Sequence, residues 1–319
     1  MTLAGALDAV LEATVVPSFS RIGPRLRSRI FHWSALPALD GRVVLVTGAT
    51  SGLGETASIE LARLGAGVRL LGRDAGRVAA AVTRVRSASG NDDVHGDVAD
   101  LNDLSEVRSF AARFAGAHGR LDALVHNAGS LVADHRLSVD GIERTVQTHL
   151  VAPFLLTRLL LTQLEASTAG RVVLVSSGGM YLQRLSVEDL EMPAATFDGA
   201  TAYSRAKRAQ VALVRHWAPG LATRGIGIHA MHPGWADTPG LASSLPRFHR
   251  LLRPLLRTPA EGADTMVWLA AGGAGSATSG DLWLDRRRRS AHKVPWTRRS
   301  DEAAEAARLF EWCEERAAP

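Results

Sequence analysis

Arg42-Val43-Val44-Leu45-Val46-Thr47, followed by Gly48-Ala49-Thr50-Ser51-Gly52-Leu53-Gly54, decides the fold. The first six residues are a short apolar run, the pattern of a strand buried on both faces. The next seven lead into helical periodicity from Gly52 to Leu64. Gly48 permits a tight turn, Gly52 lets the backbone approach a pyrophosphate, and Gly54 lets the helix pack close to the sheet. A helix N-terminus adds unbonded N–H groups and the positive end of its dipole, both of which favour an anion. A glycine-rich turn alone is weak evidence, but a strand before it and a helix after it supply the required context. Gly48, Ser51, Gly52, Leu53 and Gly54 are therefore candidate cofactor-binding residues.

Outward from this turn, strand-like runs recur at Val68–Leu71, Val94–Gly96, Ala123–His126, Val172–Ser176, Gly227–Met231 and Leu282–Leu284, with helical patterns between them. Seven strands alternating with helices predict one α/β domain over residues 41–285, a doubly wound seven-stranded parallel sheet with helices on both faces. The 319 residues, 46% hydrophobic, suffice for one large core. Residues 1–40 form an arm, helical from Thr2 to Val16 and then broken by Pro17, Pro24 and Pro37. In it Arg21, Arg25, Arg27 and Arg29 interleave with Phe19, Ile22, Leu26, Ile30, Phe31 and Trp33. Such a basic amphipathic stretch either packs on the domain or a partner subunit, or lies on a membrane surface. Residues 286–319 form a tail: Arg286 to Arg289 read as a solvated loop, with an anionic contact as the alternative, before a helix from about Asp301 to Ala317.

Lys207 and Lys293 are the only lysines, so the net charge of +5 rests on arginine. No clustered basic stripe argues for nucleic acid. The single Cys313 fits a reducing compartment. The N-terminus carries Asp8 and Glu12 without a basic n-region, and no run of apolar residues is long enough to span a bilayer. The expected location is cytoplasmic, with peripheral membrane contact through residues 15–35 as an added reading. No metal site is assigned.

The second strand ends Leu70-Leu71-Gly72-Arg73. NAD-preferring sites place a carboxylate here, on the ribose 2′-hydroxyl. Gly72 leaves room for a 2′-phosphate, and Arg73 can bind it by charge-assisted hydrogen bonds. NADP(H) is expected over NAD(H), unless Arg73 pairs with Asp74 or faces water. Further on, Tyr203 and Lys207 stand four residues apart on a predicted helix, hence on one face. In a chain with two tyrosines, a lysine at this spacing points to lysine chemistry, a compact ammonium beside a phenol. A free phenol titrates near pH 10, and proton transfer near neutrality wants it lower by roughly 2–3 units. Lys207 and a positive nicotinamide are expected to supply that lowering.

The T-G-x3-G-x-G turn together with the Y-x3-K pair resembles the short-chain dehydrogenase/reductase (SDR) superfamily, single-domain Rossmann-fold enzymes. The resemblance implies that Asp97 and Val98, just past the third strand, contact the adenine, and that Asn127, Ala128 and Gly129 flank the cofactor. It implies that Ser177 bonds the substrate oxygen and Tyr203. Pro233-Gly234-Trp235-Ala236-Asp237-Thr238 matches the family's P-G-x3-T element, which holds the nicotinamide carboxamide. Residues 239–258 are the implied substrate lid, whose leucines and Phe248 favour an apolar or amphipathic substrate. The long Gly178–Ala202 spacing resembles the retinol-dehydrogenase-like branch and is expected to form substrate wall. Ser176–Met180, Phe197–Gly199, Met231–Gly240 and Gly262–Thr265 resemble, more tightly, the branch of SDR family member 12. Many relatives pair through helices corresponding to 104–117, 141–165 and 202–223, which implies a homodimer unless the arm or tail covers those faces.

One position departs. The superfamily has a catalytic Asn on the helix after the fourth strand, holding a water in the proton relay to the lysine. Here His149 stands in that place. An imidazole also holds a water and can titrate near neutral pH. His149 either serves the relay or is a packing residue in a weakened one. Tyr203, Lys207, Ser177 and His149 are thus the candidate catalytic set. They imply an NADP(H)-dependent carbonyl/alcohol oxidoreductase, or alternatively an NADP(H)-binding sensor with little turnover.

Overall fold

The computed structural model describes residues 2–273, 278–298 and 303–319. Its strands are β1 (Val43–Thr47), β2 (Gly67–Gly72), β3 (Val94–Val98), β4 (Ala123–His126), β5 (Arg171–Val175), β6 (Gly227–Met231), β7 (Leu282–Leu284) and β8 (Arg287–Arg289). They form one sheet in the order β3-β2-β1-β4-β5-β6-β7-β8. The first seven run parallel, as expected; β8 pairs antiparallel with β7. The arginine run is therefore an edge strand and not the expected solvated loop. Asp285 and Arg286 both take positive φ, 53° and 54°, which a two-residue hairpin turn of matching twist requires. Arg286 pairs with Asp264, and Arg289 with Asp8.

Alternate residues of each buried strand face opposite layers. Val44, Val46, Val68, Leu70, Val125 and Val173 pack against the helices Gly52–Arg63 and Pro259–Ala270. Leu45, Leu124, Val172 and Leu174 face Phe110, Phe154, Leu156 and Val214 on the other side. The strand order reverses beside β1, which opens a crevice at the carboxyl ends of β1 and β4.

The arm forms helices Leu3–Ala13, Val15–Phe19 and Ile22–Ile30. Pro17 and Pro24 do not break it; each is the third residue of a short helix, where a missing N–H costs no intrahelical bond. Ser18, Phe19 and Arg27 are buried against the domain, while Val15, Val16, Ile22 and Leu26 stay exposed. Among the described residues no helix is long and apolar enough to cross a membrane. At the other end, the helix Ala303–Arg316 lays Phe310 against Phe154 and Trp217, at 5.2 and 5.6 Å between ring centres.

Candidate active site

The glycine turn is shaped as an anion cradle. Ser51 begins the helix Gly52–Arg63 in extended conformation without a side-chain capping bond, so the first-turn N–H groups stay open. Gly48 (φ 65°) passes so near Ala128 that a side-chain carbon would lie 2.6 Å from its Cα. A side chain at Gly54 would collide with Asn127 and the Gly48 carbonyl. Gly52 (φ 59°) faces Thr238, whose side chain would be 3.6 Å from an added carbon. Asn127 Nδ2 donates to the carbonyls of Thr47 and Gly48, both at 3.1 Å. Thr47 Oγ1 accepts the N–H groups of Asn127 and Ala128, also at 3.1 Å. Thr47 was not among the expected site residues; its signal was a hydroxyl at the end of an otherwise apolar run.

Arg73 follows β2 directly and is exposed, and no carboxylate precedes it. Asp97 and Val98 close β3 rather than following it, and Val98 lies in register with Gly72. This places them beside the same end of the crevice. An open helix N-terminus, a glycine cradle and an unencumbered arginine fit a phosphorylated dinucleotide.

Tyr203 and Lys207 share the helix Gly199–Ala222, which Asp198 caps by accepting Thr201 N–H at 2.8 Å. The Ser177 hydroxyl lies beside the Tyr203 hydroxyl, near enough to favour its ionised form. Lys207 Nζ donates to the Val175 carbonyl at 2.6 Å and lies 5.4 Å from the centre of the Tyr203 ring. Ser176 Oγ donates to the Lys207 carbonyl at 2.9 Å, so the end of β5 holds the lysine at two points. Ser177 caps the short helix Gly178–Leu182. Ser177, Tyr203 and Lys207 thus come together as the motif predicted, but the electrostatics differ. Burial raises the Tyr203 phenol above its ordinary value, and only the Ser177 hydroxyl opposes this. Burial also pushes the Lys207 ammonium down to about 7.

His149 lies in a π-helical turn, Gln147–Val151, between the helical segments Arg144–Val146 and Ala152–Leu159. Such turns are frequent at functional sites. Its Nε2 is 3.3 Å from the Ser130 carbonyl. A carbonyl only accepts, so Nε2 carries the proton. Nδ1 is then a buried lone pair without a partner among the described residues. Burial, aided by the Lys207 charge, holds the imidazole well below its usual range. The expectation that His149 titrates near neutral pH is therefore wrong. Its main-chain carbonyl accepts Gln210 Nε2 at 2.7 Å, a contact with no signal in the sequence.

After β6, Pro233 to Thr238 run past the crevice, and Thr238 caps the helix Pro239–Ser244. Gly234 adopts φ 70°. The lid region docks through Ser244 Oγ on the Leu131 carbonyl at 3.2 Å and through His249 on Asp237 at 2.7 Å. The Gly178–Ala202 stretch is less of a substrate wall than expected. Met180, Tyr181, Leu185 and Leu190 are buried in the core, and Val187 N–H bonds Glu305 beside the C-terminal helix.

Comparison with known proteins agrees with this geometry. The short chain dehydrogenase family model matches residues 42–247. Human dehydrogenase/reductase SDR family member 12 is 38% identical over 278 residues, which is 87% of this chain and 86% of that protein. Human retinol dehydrogenase 12 is 32% identical, over 78% of this chain and 79% of that one. Among solved structures, the Pseudomonas aeruginosa RhlG/NADP active-site complex is similar with a TM-score of 0.63 and 27% identity, covering 77% of this chain and 94% of that chain.

Proposed function

Because the chain belongs to the short-chain dehydrogenase/reductase family and is an oxidoreductase, we propose that it reduces a carbonyl on an apolar or amphipathic small molecule with NADPH, or runs the reverse alcohol oxidation. The observation that carries this reading is the meeting of Ser177 with the Tyr203 hydroxyl, with Lys207 over the same ring. A nicotinamide held in the crevice would be the source or acceptor of the hydride. Tyr203, kept protonated by burial, donates its hydroxyl proton to the nascent alkoxide. Ser177 Oγ stabilises the developing charge on the same oxygen. Lys207 then restores the proton to the phenolate, for which a pKa near 7 is suited. Gly48, Ser51, Gly52, Leu53 and Gly54 would hold the pyrophosphate, and Arg73 the 2′-phosphate. Asp97 and Val98 would hold the adenine; Pro233, Gly234 and Thr238 would hold the nicotinamide.

Fluorescence titration with NADPH and NADH, followed by a panel of aldehydes, ketones and steroids with a Tyr203→Phe control, tests the reading. Tyr203-dependent oxidation of NADPH supports it. Tight binding without turnover favours instead an NADP(H) sensor, a reading supported by the lowered basicity of His149, whose Nδ1 has no partner among the described residues. Peripheral membrane contact through residues 15–35 rests on exposed Val15, Val16, Ile22 and Leu26. Sedimentation with anionic liposomes, unchanged by Val15→Glu with Val16→Glu, would reject it.

A further inference from the structure

Beyond β6, the Pro233–Thr238 loop takes its backbone partners from outside the sheet. Trp235 N–H donates to the Phe19 carbonyl, Arg257 N–H to Trp235 O, and Asp237 N–H to Arg257 O, each at 2.8 Å. The Arg257 guanidinium adds bonds to the carbonyls of Phe19 at 2.9 Å and Ser18 at 2.6 Å. It also forms a two-pronged pair with Asp285 at 2.6 and 3.0 Å. Arg27 of the arm reaches the same carboxylate at 2.6 Å. All three charged side chains are buried, and each is paired, which is what makes their burial tolerable. The arm, through Arg27, and Arg257, which bonds the loop, therefore meet on one carboxylate of the β7–β8 turn.

The Phe19 ring, 4% exposed, fills the space between the two loops that end β5 and β6. Its centre is 4.6 Å from the His232 ring and 5.8 Å from the Trp235 ring. On the other side it abuts Gly178, next to Ser177, so closely that an added side-chain carbon would sit 2.6 Å from Phe19 Cε2. Within the loop, the buried Ala236 has an N–H with no acceptor among the described residues. The glycine turn is held independently, by Asn127 and Thr47.

We propose that Phe19 is a positioning residue of the cofactor site: through it the N-terminal arm sets where the Pro233–Thr238 loop meets the nicotinamide end of the dinucleotide. This rests on the cofactor reading above. Among the described residues no hydrogen bond or ion pair joins the arm's helices to the phosphate-binding turn, so the two ends of the ligand report separately. The test titrates the full chain with NADPH and with adenosine 2′,5′-bisphosphate, which carries the adenine end and no nicotinamide. Phe19→Ala is expected to weaken NADPH about tenfold by loosening a preorganised loop, and to leave the bisphosphate within about twofold. Phe19→Leu, which keeps most of the packing volume, is expected to recover part of the loss. Equal effects on both ligands in both variants, or no effect on either, overturn the inference. Failure of the unsubstituted chain to bind either ligand overturns the cofactor reading itself, and this inference with it.

Discussion

The His149 imidazole stands edge-on to the Tyr203 ring, with centres 5.2 Å apart and planes at 87°. The imidazole also presses on Gly129, where any side-chain carbon would overlap its ring. The glycine is thus fitted to the histidine. Gly129→Ala is expected to destabilise the protein by about 1–3 kcal/mol, the range for overpacking a filled site. In a His149→Asn background, with a shorter side chain, the same substitution should cost less than half as much. A double-mutant cycle in thermal or urea unfolding measures this, and additive effects would show that the two residues are not coupled.

Arg73 is exposed and follows a strand end without a carboxylate. Arg73→Asp removes the cation for a 2′-phosphate and adds an acceptor for a 2′-hydroxyl. The ratio of NADPH to NADH affinity should fall at least about tenfold, as expected for loss of a charge-assisted contact. An unchanged ratio would place the 2′-phosphate elsewhere.

Burial takes Lys207 from 10.5 in a free chain down to about 7. Between those values the unfolded chain holds a proton that the folded chain releases, so stability rises with pH across that window. Below pH 7 both states are protonated and folding carries the cost of a buried ammonium. Lys207→Met should therefore raise stability below pH 7, by on the order of a few kcal/mol before the loss of its bond to Val175 is subtracted, and raise Tm with it. The gap from the parent should narrow as pH approaches 10. Parallel Tm curves would rule out the depressed lysine.

The C-terminal helix occupies a face that relatives are expected to use for pairing. Phe310 covers Phe154 and Trp217, Arg158 pairs with Glu314, and Arg108 donates to the Ala317 carbonyl. We expect a monomer by light scattering at micromolar concentration. Phe310→Glu should uncover aromatic surface and produce self-association. A dimer in the unsubstituted chain would mean that pairing uses another face.

Much of this molecule was legible in its sequence, for a local reason. The Gly48–Gly54 turn depends on positive φ and close backbone approach, so glycine positions betray it. The Tyr203–Lys207 pair depends on helical spacing alone. Buried parallel strands appear as apolar runs because both of their faces are covered. The eighth strand was hidden because its residues are arginines: what makes Arg287–Arg289 a strand is the Asp285-Arg286 turn and the partner β7, not intrinsic propensity.

What the sequence determined by itself was the order of elements, the glycine turn between β1 and the helix after it, and the pairing of Tyr203 with Lys207 on one helix. Only the tertiary structure decided the charge states, the partners of the arm and the role of the tail. Ionisation depends on how far each group is taken from water. That is why Lys207 falls, Tyr203 rises and His149 stays neutral though each looks ordinary in the chain. Arg27 and Asp285 are 258 positions apart, and no local pattern joins them. Their pairing follows from the burial of both charges at one place in the folded chain, where each leaves the other no alternative partner in water.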